Sequence, residues 1–183
     1  MVDYVRLPLG PLAPKVVTDV VEIPAGTRNK IEYDETLGVF RLDRTLYSPV
    51  EYPFEYGFIP STLGGDGDPL DLLVLTSEPT FPGCVLEVRP VARLGLRDQK
   101  GEDTKILAVP QSDPRFHGVE DPSSVPPHAL LEIKEFFRTY SRLEKKTTVP
   151  KGWSGRAAAH REIRRAHERF RRQAGAQALS DRA

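Results

Sequence analysis

The chain has 183 residues, of which 39% are hydrophobic and 28% are charged, and its 26 basic residues balance 26 acidic ones. This length and composition suit one soluble domain with its own core and exclude a disordered chain, while the balanced charge excludes a whole-molecule attraction for polyanions. The single cysteine, Cys84, excludes an internal disulfide, and no stretch reaches the roughly 20 apolar residues of a membrane helix. We therefore expect a cytoplasmic protein in which residues 1–183 form one domain.

Short apolar runs between prolines and glycines predict strands in the first two thirds of the chain. Residues 1–15 contain three prolines and predict an extended arm before the first strand. No long helix falls between the predicted strands, so a small closed or nearly closed barrel is favoured over a parallel βαβ sheet. The predicted strands cover residues 16–23, 30–33, 38–42, 70–75, 84–94 and 104–109.

The segment 52–60 between these strands is unusually aromatic. Tyr52 and Tyr56 stand four residues apart in it, with Phe54 and Phe58 interleaved. We predict a loop here, in which each tyrosine serves either core packing or a functional site.

Two helices are predicted after Pro127. Apolar residues at helical spacing give the first helix a stripe of Leu130, Ile133, Phe137 and Tyr140. The second helix is predicted to start after Ser154 as its N-cap and to end at Gly175, with Ala159, Ile163, Ala166 and Phe170 along one face. Residues 176–183 are predicted to be a frayed tail.

The strongest chemical signal is the segment Asp66-Gly67-Asp68-Pro69-Leu70-Asp71. Gly67 and Pro69 indicate a bent loop that leads into a strand. Carboxylates about 5 Å apart repel each other by about 3 kcal/mol per pair at an effective dielectric of 20, and a divalent cation removes that repulsion. Oxygen ligands without cysteine or histidine favour Mg²⁺, Mn²⁺ or Ca²⁺ over zinc.

Acidic segments of this kind also occur in solvated turns and in calcium-binding loops. A solvated turn is the usual structure of a short Asp-rich loop. An EF-hand loop is excluded, because its fifth, sixth and twelfth places would hold Leu70, Asp71 and Ser77. A second acidic segment, residues 98–105, reads alone as a polar hairpin turn, but together with the first it offers carboxylates from two neighbouring loops.

Cations accompany these acids. Lys30 and Glu32 alternate with apolar neighbours and therefore point to one face of their strand. Arg44 follows the next strand, and arginine and lysine are the side chains that bind phosphate oxygens. Cations interleaved with clustered carboxylates are expected where metal ions lie between protein carboxylates and substrate phosphates.

The sequence resembles the soluble family I inorganic pyrophosphatases from about residue 22 to residue 153. The segment 66–72 matches the aspartate motif of that family in full. The resemblance is supported, in the same order along the chain, by residues 22–24, 30–33, 43–44, 52–53, 56–59 and 101–105.

The resemblance implies an α+β, mainly β fold: an OB-like five-stranded β-barrel flanked by two C-terminal helices. It implies hydrolysis of pyrophosphate to two phosphates by a water bridging two Mg²⁺ ions, with Asp68 as general base and Tyr56 near the nucleophile. Several ions per site are implied, with Mn²⁺ or Zn²⁺ as possible substitutes, and the protein is expected to be a homo-oligomer. The implied metal ligands are Asp66, Asp71, Asp98, Asp103 and Glu32, the phosphate-binding residues Lys30, Arg44, Lys105 and Tyr140, and the supporting residues Glu22 and Tyr52.

One departure from the family pattern concerns phosphate binding. The family usually has lysine directly after the tyrosine of the first helix, whereas Ser141 follows Tyr140 here. We hypothesise that one phosphate cation is missing or is supplied by Arg142, Lys145 or Lys146.

Two rival functions remain open from the sequence. A nucleic-acid-binding OB module would use the arginine-rich second helix, although such a helix is usually a solvated face and the aspartates would repel a phosphate backbone. Another metal-assisted phosphohydrolase would prefer a different phosphate ester. His160 and His167 on that helix are predicted to be surface residues, because no metal or catalytic-triad pattern surrounds them.

Overall fold

A computed structural model describes residues 2–99 and 101–180. In this part of the chain the strands are β1 (Val17–Ile23), β2 (Asn29–Asp34), β3 (Val39–Thr45), β4 (Glu55–Ile59), β5 (Leu70–Val74), β6 (Val85–Arg97), β7 (Glu102–Pro110) and β8 (Val149–Gly155). The α-helices are α1 (Pro127–Thr139) and α2 (Arg156–Ser180), and three short 3-10 turns lie at Pro114–Phe116, Pro122–Ser124 and Arg142–Glu144. None of the described helices is long and apolar enough to cross a membrane.

Five of these strands close into a ring. The order is β1, β4, β5, β7 and β6, and β6 pairs back with β1. All neighbours are antiparallel except β5 and β7, which run parallel. Strand β8 adds to the outside of the ring along β6, and β2 with β3 forms a separate hairpin. The predicted OB-like five-stranded barrel with two C-terminal helices is therefore confirmed.

Each helix covers a different part of the barrel. Helix α1 buries Ile133, Phe136 and Phe137 in a cluster with Phe54 and Leu107. Helix α2 buries its predicted small stripe, Ala159, Ile163 and Ala166, against another cluster of barrel residues that includes Leu72 and Ile106. Removing a side chain of leucine size from water contributes about 1.5–3 kcal/mol, so these clusters hold the helices on the barrel.

Two strands, β4 and β8, were not predicted from the sequence. The segment predicted as an aromatic loop contains β4, which lies between β1 and β5 in the ring. Its run Glu55-Tyr56-Gly57-Phe58-Ile59 alternates poorly, because four of its five residues are buried. Strand β8 was missed because it contains Pro150, Gly152 and Gly155, and such residues are tolerated at its edge position.

The N-cap and the end predicted for α2 were wrong. Ser154 lies in β8 and does not cap the helix, which begins at Arg156. The helix also continues through Gly175 to Ser180, since a glycine costs a helix interior only about 1 kcal/mol. Residues 176–180 of the predicted frayed tail are therefore helical, and residues 181–183 lie outside the described part of the chain.

The N-terminal arm packs onto the barrel and is turned rather than extended. Backbone hydrogen bonds close turns at residues 3–7 and 10–16. Tyr4 makes edge contacts with the rings of Tyr33 and Phe40 at centroid distances of 5.2 and 5.1 Å, and Val5 is buried. The arm thus covers one side of the β2–β3 hairpin.

Candidate active site

A cavity of about 510 Å³ opens where several barrel loops meet. Its wall combines residues from the loop before β5, the β6–β7 hairpin, strands β1, β2, β4, β5 and β7, and the end of α1. Eleven of the thirteen predicted site residues line it: Glu22, Lys30, Glu32, Tyr56, Asp66, Asp68, Asp71, Asp98, Asp103, Lys105 and Tyr140.

The segment 64–69, here called the aspartate loop, is closed by its own backbone. The Gly64 N–H donates to the Asp68 carbonyl at 2.6 Å, and the Asp68 N–H donates to Asp66 Oδ1 at 3.3 Å. Gly67 has φ of 98°, a left-handed conformation that favours glycine. The predicted bent loop that leads into β5 is thus confirmed, and Asp66 and Asp68 are both exposed to the cavity.

Lys105 lies between two of the predicted metal ligands. Its ammonium group pairs with Asp71 and, at 2.8 Å, with Asp103, and its side chain is only 9% exposed. Burial alone would lower the pKa of Lys105, but the carboxylates of Asp71 and Asp103 outweigh burial and raise it above its usual range. The lysine therefore stays charged and neutralises part of the acidic cluster.

Asp71 and Tyr56 form a partly buried section of the cavity wall. Burial raises the pKa of Asp71, and the neighbouring Lys105 only partly offsets this effect. Burial, together with Asp71 and Asp103, raises the pKa of Tyr56 well above its ordinary value, so its hydroxyl keeps its proton. Lys105 Nζ also lies 5.8 Å from the centre of the Tyr56 ring.

The β2 side of the cavity carries a second group of charges. Lys30 donates to Glu32 and lies 3.5 Å from Asp43, which confirms that Lys30 and Glu32 share a strand face. Glu22 accepts a hydrogen bond from the Tyr33 N–H at 2.7 Å. Burial raises the pKa of Glu22 to about 8, so this carboxyl group carries a proton near neutral pH.

Two predicted residues lie outside the wall of this cavity. Tyr52 is 2% exposed and packs in the core between Phe54 and Phe136, although it reaches a smaller adjoining cavity of about 40 Å³ beside Lys30 and Tyr140. Arg44 is paired opposite Lys30 across the hairpin, and its guanidinium binds Asp43 and Glu144.

Glu144, the partner of Arg44, was not among the predicted site residues. Its side chain is 5% exposed and accepts from Arg44 Nε at 2.9 Å and Nη2 at 2.8 Å, while Lys146 approaches at 3.3 Å. No local sequence signal joins residues a hundred positions apart, so only the fold reveals this pair. Ser141 is 2% exposed and its buried hydroxyl has no hydrogen-bond partner in the described part of the chain.

The donor set fits hard divalent cations. The carboxylates that line the cavity come from separate elements and offer only oxygen, with no histidine or cysteine among them. Within residues 2–99 and 101–180, no three acids, histidines or cysteines are already gathered closely enough to hold an ion. The ammonium group of Lys105 lies between the carboxylates of Asp71 and Asp103. A divalent ion would compete with it for the same oxygens.

Comparison with known proteins decides the family. The family model described as inorganic pyrophosphatase matches residues 19–171. The chain belongs to the inorganic pyrophosphatase family. This match includes every predicted site residue, from Glu22 to Tyr140.

Similar proteins extend over most of the chain. The inorganic pyrophosphatase of Methanosarcina acetivorans is 52% identical over 156 residues, which are 85% of this chain and 93% of that relative. The one from Nostoc sp. is 52% identical over 151 residues, 82% of this chain and 89% of the relative. The crystal structure of inorganic pyrophosphatase from Thermus thermophilus superposes with a TM-score of 0.91 at 44% identity, covering 93% of this chain and 99% of that one.

Proposed function

We propose that the chain hydrolyses pyrophosphate to two phosphates in this cavity, with Asp68 as the general base. Membership of the inorganic pyrophosphatase family makes the chain a hydrolase of the diphosphatase type. The observation that supports the location is that aspartates from the loop before β5, from β5 and from the β6–β7 hairpin line one cavity together with Lys30 and Lys105. This is the arrangement that a polyanionic phosphate substrate and divalent ions require together.

The ions of this site are proposed to be Mg²⁺. Asp66, Asp71 and Asp103 would hold the first ion, with Asp71 shared by a second, while Asp98 and Glu32 would complete further positions. When bound, such ions lower the pKa of a coordinated water and neutralise phosphate charge. Assembly into a homo-oligomer and a cytoplasmic location stay predictions.

Asp68 suits the role of base because its side chain is unengaged. In the described part of the chain its carboxylate makes no hydrogen bond or ion pair, whereas Asp71 and Asp103 are held by Lys105. Asp68 is exposed to the cavity on a loop whose backbone is fixed by hydrogen bonds. A free carboxylate on a rigid backbone can accept a proton from an attacking water without first breaking another contact.

The cations and phenols of the cavity are proposed to bind the substrate oxygens. Lys30 and Lys105 supply point charges from the cavity wall. Arg44 lies outside that wall, opposite Lys30 on the hairpin, and offers a guanidinium whose orientation Glu144 fixes. Burial raises the pKa of Tyr140 as it does that of Tyr56, so both phenols stay protonated and can donate to phosphate. These groups meet the negative charge that develops on the departing phosphate.

A comparison of substrates tests the reaction class. Phosphate release from pyrophosphate and from an aryl phosphate should be measured at equal concentrations with excess Mg²⁺. We expect preference for pyrophosphate by at least about a hundredfold in kcat/KM, because two linked phosphates are needed to engage cations on both sides of the cavity. Equal rates on the two substrates would favour the alternative of a general phosphohydrolase.

A further inference from the structure

The arginine-rich helix α2 contacts the residues that directly precede the aspartate loop. Leu63, directly before the loop, donates its N–H to the Ala166 carbonyl at 3.0 Å. Its own carbonyl accepts from Arg169 Nε at 2.7 Å. Both backbone groups of one residue therefore bind α2, and the donor to its carbonyl is a charged guanidinium.

A second attachment lies two residues earlier, at Ser61. This residue has φ of 55°, a left-handed conformation that is costly for a residue with a side chain. His167 Nδ1 lies 2.7 Å from the Ser61 carbonyl, so this ring nitrogen carries the proton and donates it. The N-terminal arm binds the same residue, since the Ser61 N–H donates to the Val5 carbonyl at 2.7 Å and its hydroxyl donates to the Leu7 carbonyl at 2.8 Å.

Any shift of Leu63 would be passed to both aspartates of the loop. Gly64 follows Leu63 and closes the loop through its N–H bond to the Asp68 carbonyl. The packing at Gly64 is tight, because a Cβ atom there would lie 2.7 Å from Asp66 Oδ1. Leu63 therefore directly precedes Gly64, whose contacts with Asp66 and Asp68 hold the two aspartates in position.

Arg169 also balances charge behind the loop. Its guanidinium lies 3.1 Å from Glu162 of the same helix. Both residues line a small cavity of about 120 Å³ together with Asp66, Asp71, Glu102 and Asp103, which also line the active-site cavity. Without the arginine, Glu162 would add an uncompensated negative charge next to these acids, and like charges repel each other.

We propose that Arg169 is a positioning residue of the active site, which fixes the aspartate loop for divalent-ion binding, with His167 as a second anchor. This inference rests on the proposed function of Asp66 and Asp71 as metal ligands. On this proposal Arg169 has a structural role at the active site, unlike the solvated arginines of the same helix. His167, which was predicted to be a surface residue, is partly exposed, and its ring nitrogen contacts the backbone ahead of the loop.

The first test measures the loop without any metal. Hydrogen exchange of residues 61–70 should be followed in metal-free wild type, Arg169→Ala and Arg169→Lys. We expect about tenfold faster exchange in Arg169→Ala, since a hydrogen bond from a charged group is lost. Arg169→Lys keeps a cation beside Glu162 and should give an intermediate rate. Arg165→Ala serves as the control, because Arg165 is an exposed arginine of the same helix whose side chain makes no hydrogen bond or ion pair in the described part of the chain.

The second test measures Mg²⁺ binding by calorimetry, together with kcat at saturating Mg²⁺. We expect Arg169→Ala to weaken Mg²⁺ binding about tenfold while kcat at saturation falls by no more than about threefold. A general loss of structure in Arg169→Ala would lower the denaturation midpoint and kcat together. In that case the milder variant, Arg169→Lys, decides through its Mg²⁺ affinity and its kcat at saturating Mg²⁺.

Unchanged loop exchange, or faster exchange with unchanged Mg²⁺ affinity, would overturn the positioning role. Failure of the proposed function looks different, because wild type itself would then release no phosphate from pyrophosphate while the loop still responded to Arg169→Ala.

Discussion

At the scale of single residues, the aspartates that line the cavity are not equivalent. Asp71 and Asp103 share the ammonium group of Lys105, whereas the Asp68 carboxylate is unengaged in the described part of the chain and faces the cavity. A carboxylate that is already held by a cation suits a binding role, and one that is free suits proton transfer. The two kinds of aspartate should therefore respond differently to the same substitution.

Asp68→Asn is expected to keep Mg²⁺ binding but to lose at least about a hundredfold in kcat, because the amide cannot accept the proton of water. Asp71→Asn is expected to raise the Mg²⁺ concentration needed for half-maximal activity and also to destabilise the fold, since the buried Lys105 loses one of its partners. Mg²⁺ titrations of activity and of calorimetric binding separate the two effects. Identical Mg²⁺ dependence in the two variants would contradict this division of roles.

A buried acid in the barrel gives a second prediction at this scale. Asp19 is fully buried beside Glu55, and neither of its carboxylate oxygens has a hydrogen-bond partner among the described residues. Burial, and then the nearby Glu55 and Glu22, raise the pKa of Asp19 well above its ordinary value. A raised folded-state pKa means that folding takes up a proton. The contribution of Asp19 to the free energy of unfolding is therefore complete at low pH, and it is lost as the pH rises from the unfolded pKa to the folded pKa.

Asp19→Asn should therefore flatten the decline of stability at rising pH. Between the unfolded and folded pKa values, one such group removes up to about 1.4 kcal/mol of unfolding free energy per pH unit. Denaturant unfolding from pH 5 to pH 9 measures the slope. Asp113→Asn is the control, since its pKa is lowered to about 2 and it titrates below this range. A slope in Asp19→Asn equal to that of wild type would refute the assignment.

At the scale of elements, α1 supports the site through an aromatic cluster. The Phe136 ring stacks on Tyr140 at 5.1 Å and contacts Tyr52 at 4.6 Å, and Phe54 packs against it edge-on at 5.5 Å. Tyr140 in turn lines the active-site cavity. The core and the site therefore share this cluster.

Phe136→Ala is expected to cost about 3–5 kcal/mol of unfolding free energy, because it opens a cavity in a fully packed region. It should also raise KM for pyrophosphate, since Tyr140 loses the ring on which it stacks. Phe81→Ala, at a position that is 64% exposed, should change stability by no more than about 0.5 kcal/mol. Denaturant unfolding and steady-state kinetics check both statements, and equal stability of the two variants would contradict them.

The elements also mark what sequence patterns can predict. Strands β1 and β5 and the start of α1 were predicted to within a residue or two, because β-branched runs and a helical stripe identify them locally. Strand β4 was missed because an aromatic, nearly fully buried strand has no alternation, and its identity as a strand depends on its two neighbours. The end of α2 was misplaced because a single glycine is a weak stop signal when the helix continues on both sides.

The candidate site also combines features that local sequence determines with features that depend on distant contacts. The aspartate loop was predicted because Gly67 and Pro69 restrict the backbone locally. The pairing of Lys105 with Asp71 and Asp103, the pairing of Arg44 with Glu144, and the contacts of Arg169 depend on distant parts of the chain meeting, which no single sequence reveals.

At the scale of the whole molecule, ring closure produces the site. The parallel pairing of β5 and β7 brings Asp71 beside Lys105, and the β6–β7 hairpin brings Asp98 and Asp103 to the same mouth. A chain with zero formal net charge thus places nine of its 26 acids around one cavity. Ions bound there should stabilise the native state by mass action, because the unfolded chain has no such cluster.

Mg²⁺ at about a hundred times its dissociation constant should therefore add about 2.7 kcal/mol of stability. Thermal unfolding with and without Mg²⁺ measures this, and Asp66→Asn should reduce the shift while Asp113→Asn, away from the cavity, should not. An equal shift in the two variants would place the ions elsewhere.

Metal-dependent hydrolysis at the aspartate loop is tested by phosphate release from pyrophosphate, with and without Mg²⁺, by wild type and by Asp66→Asn. We expect rapid release by wild type only with Mg²⁺, and release by Asp66→Asn that needs much more Mg²⁺ or is lost. Release that is independent of Mg²⁺, or unchanged in Asp66→Asn, would contradict catalysis by ions held in the aspartate loop.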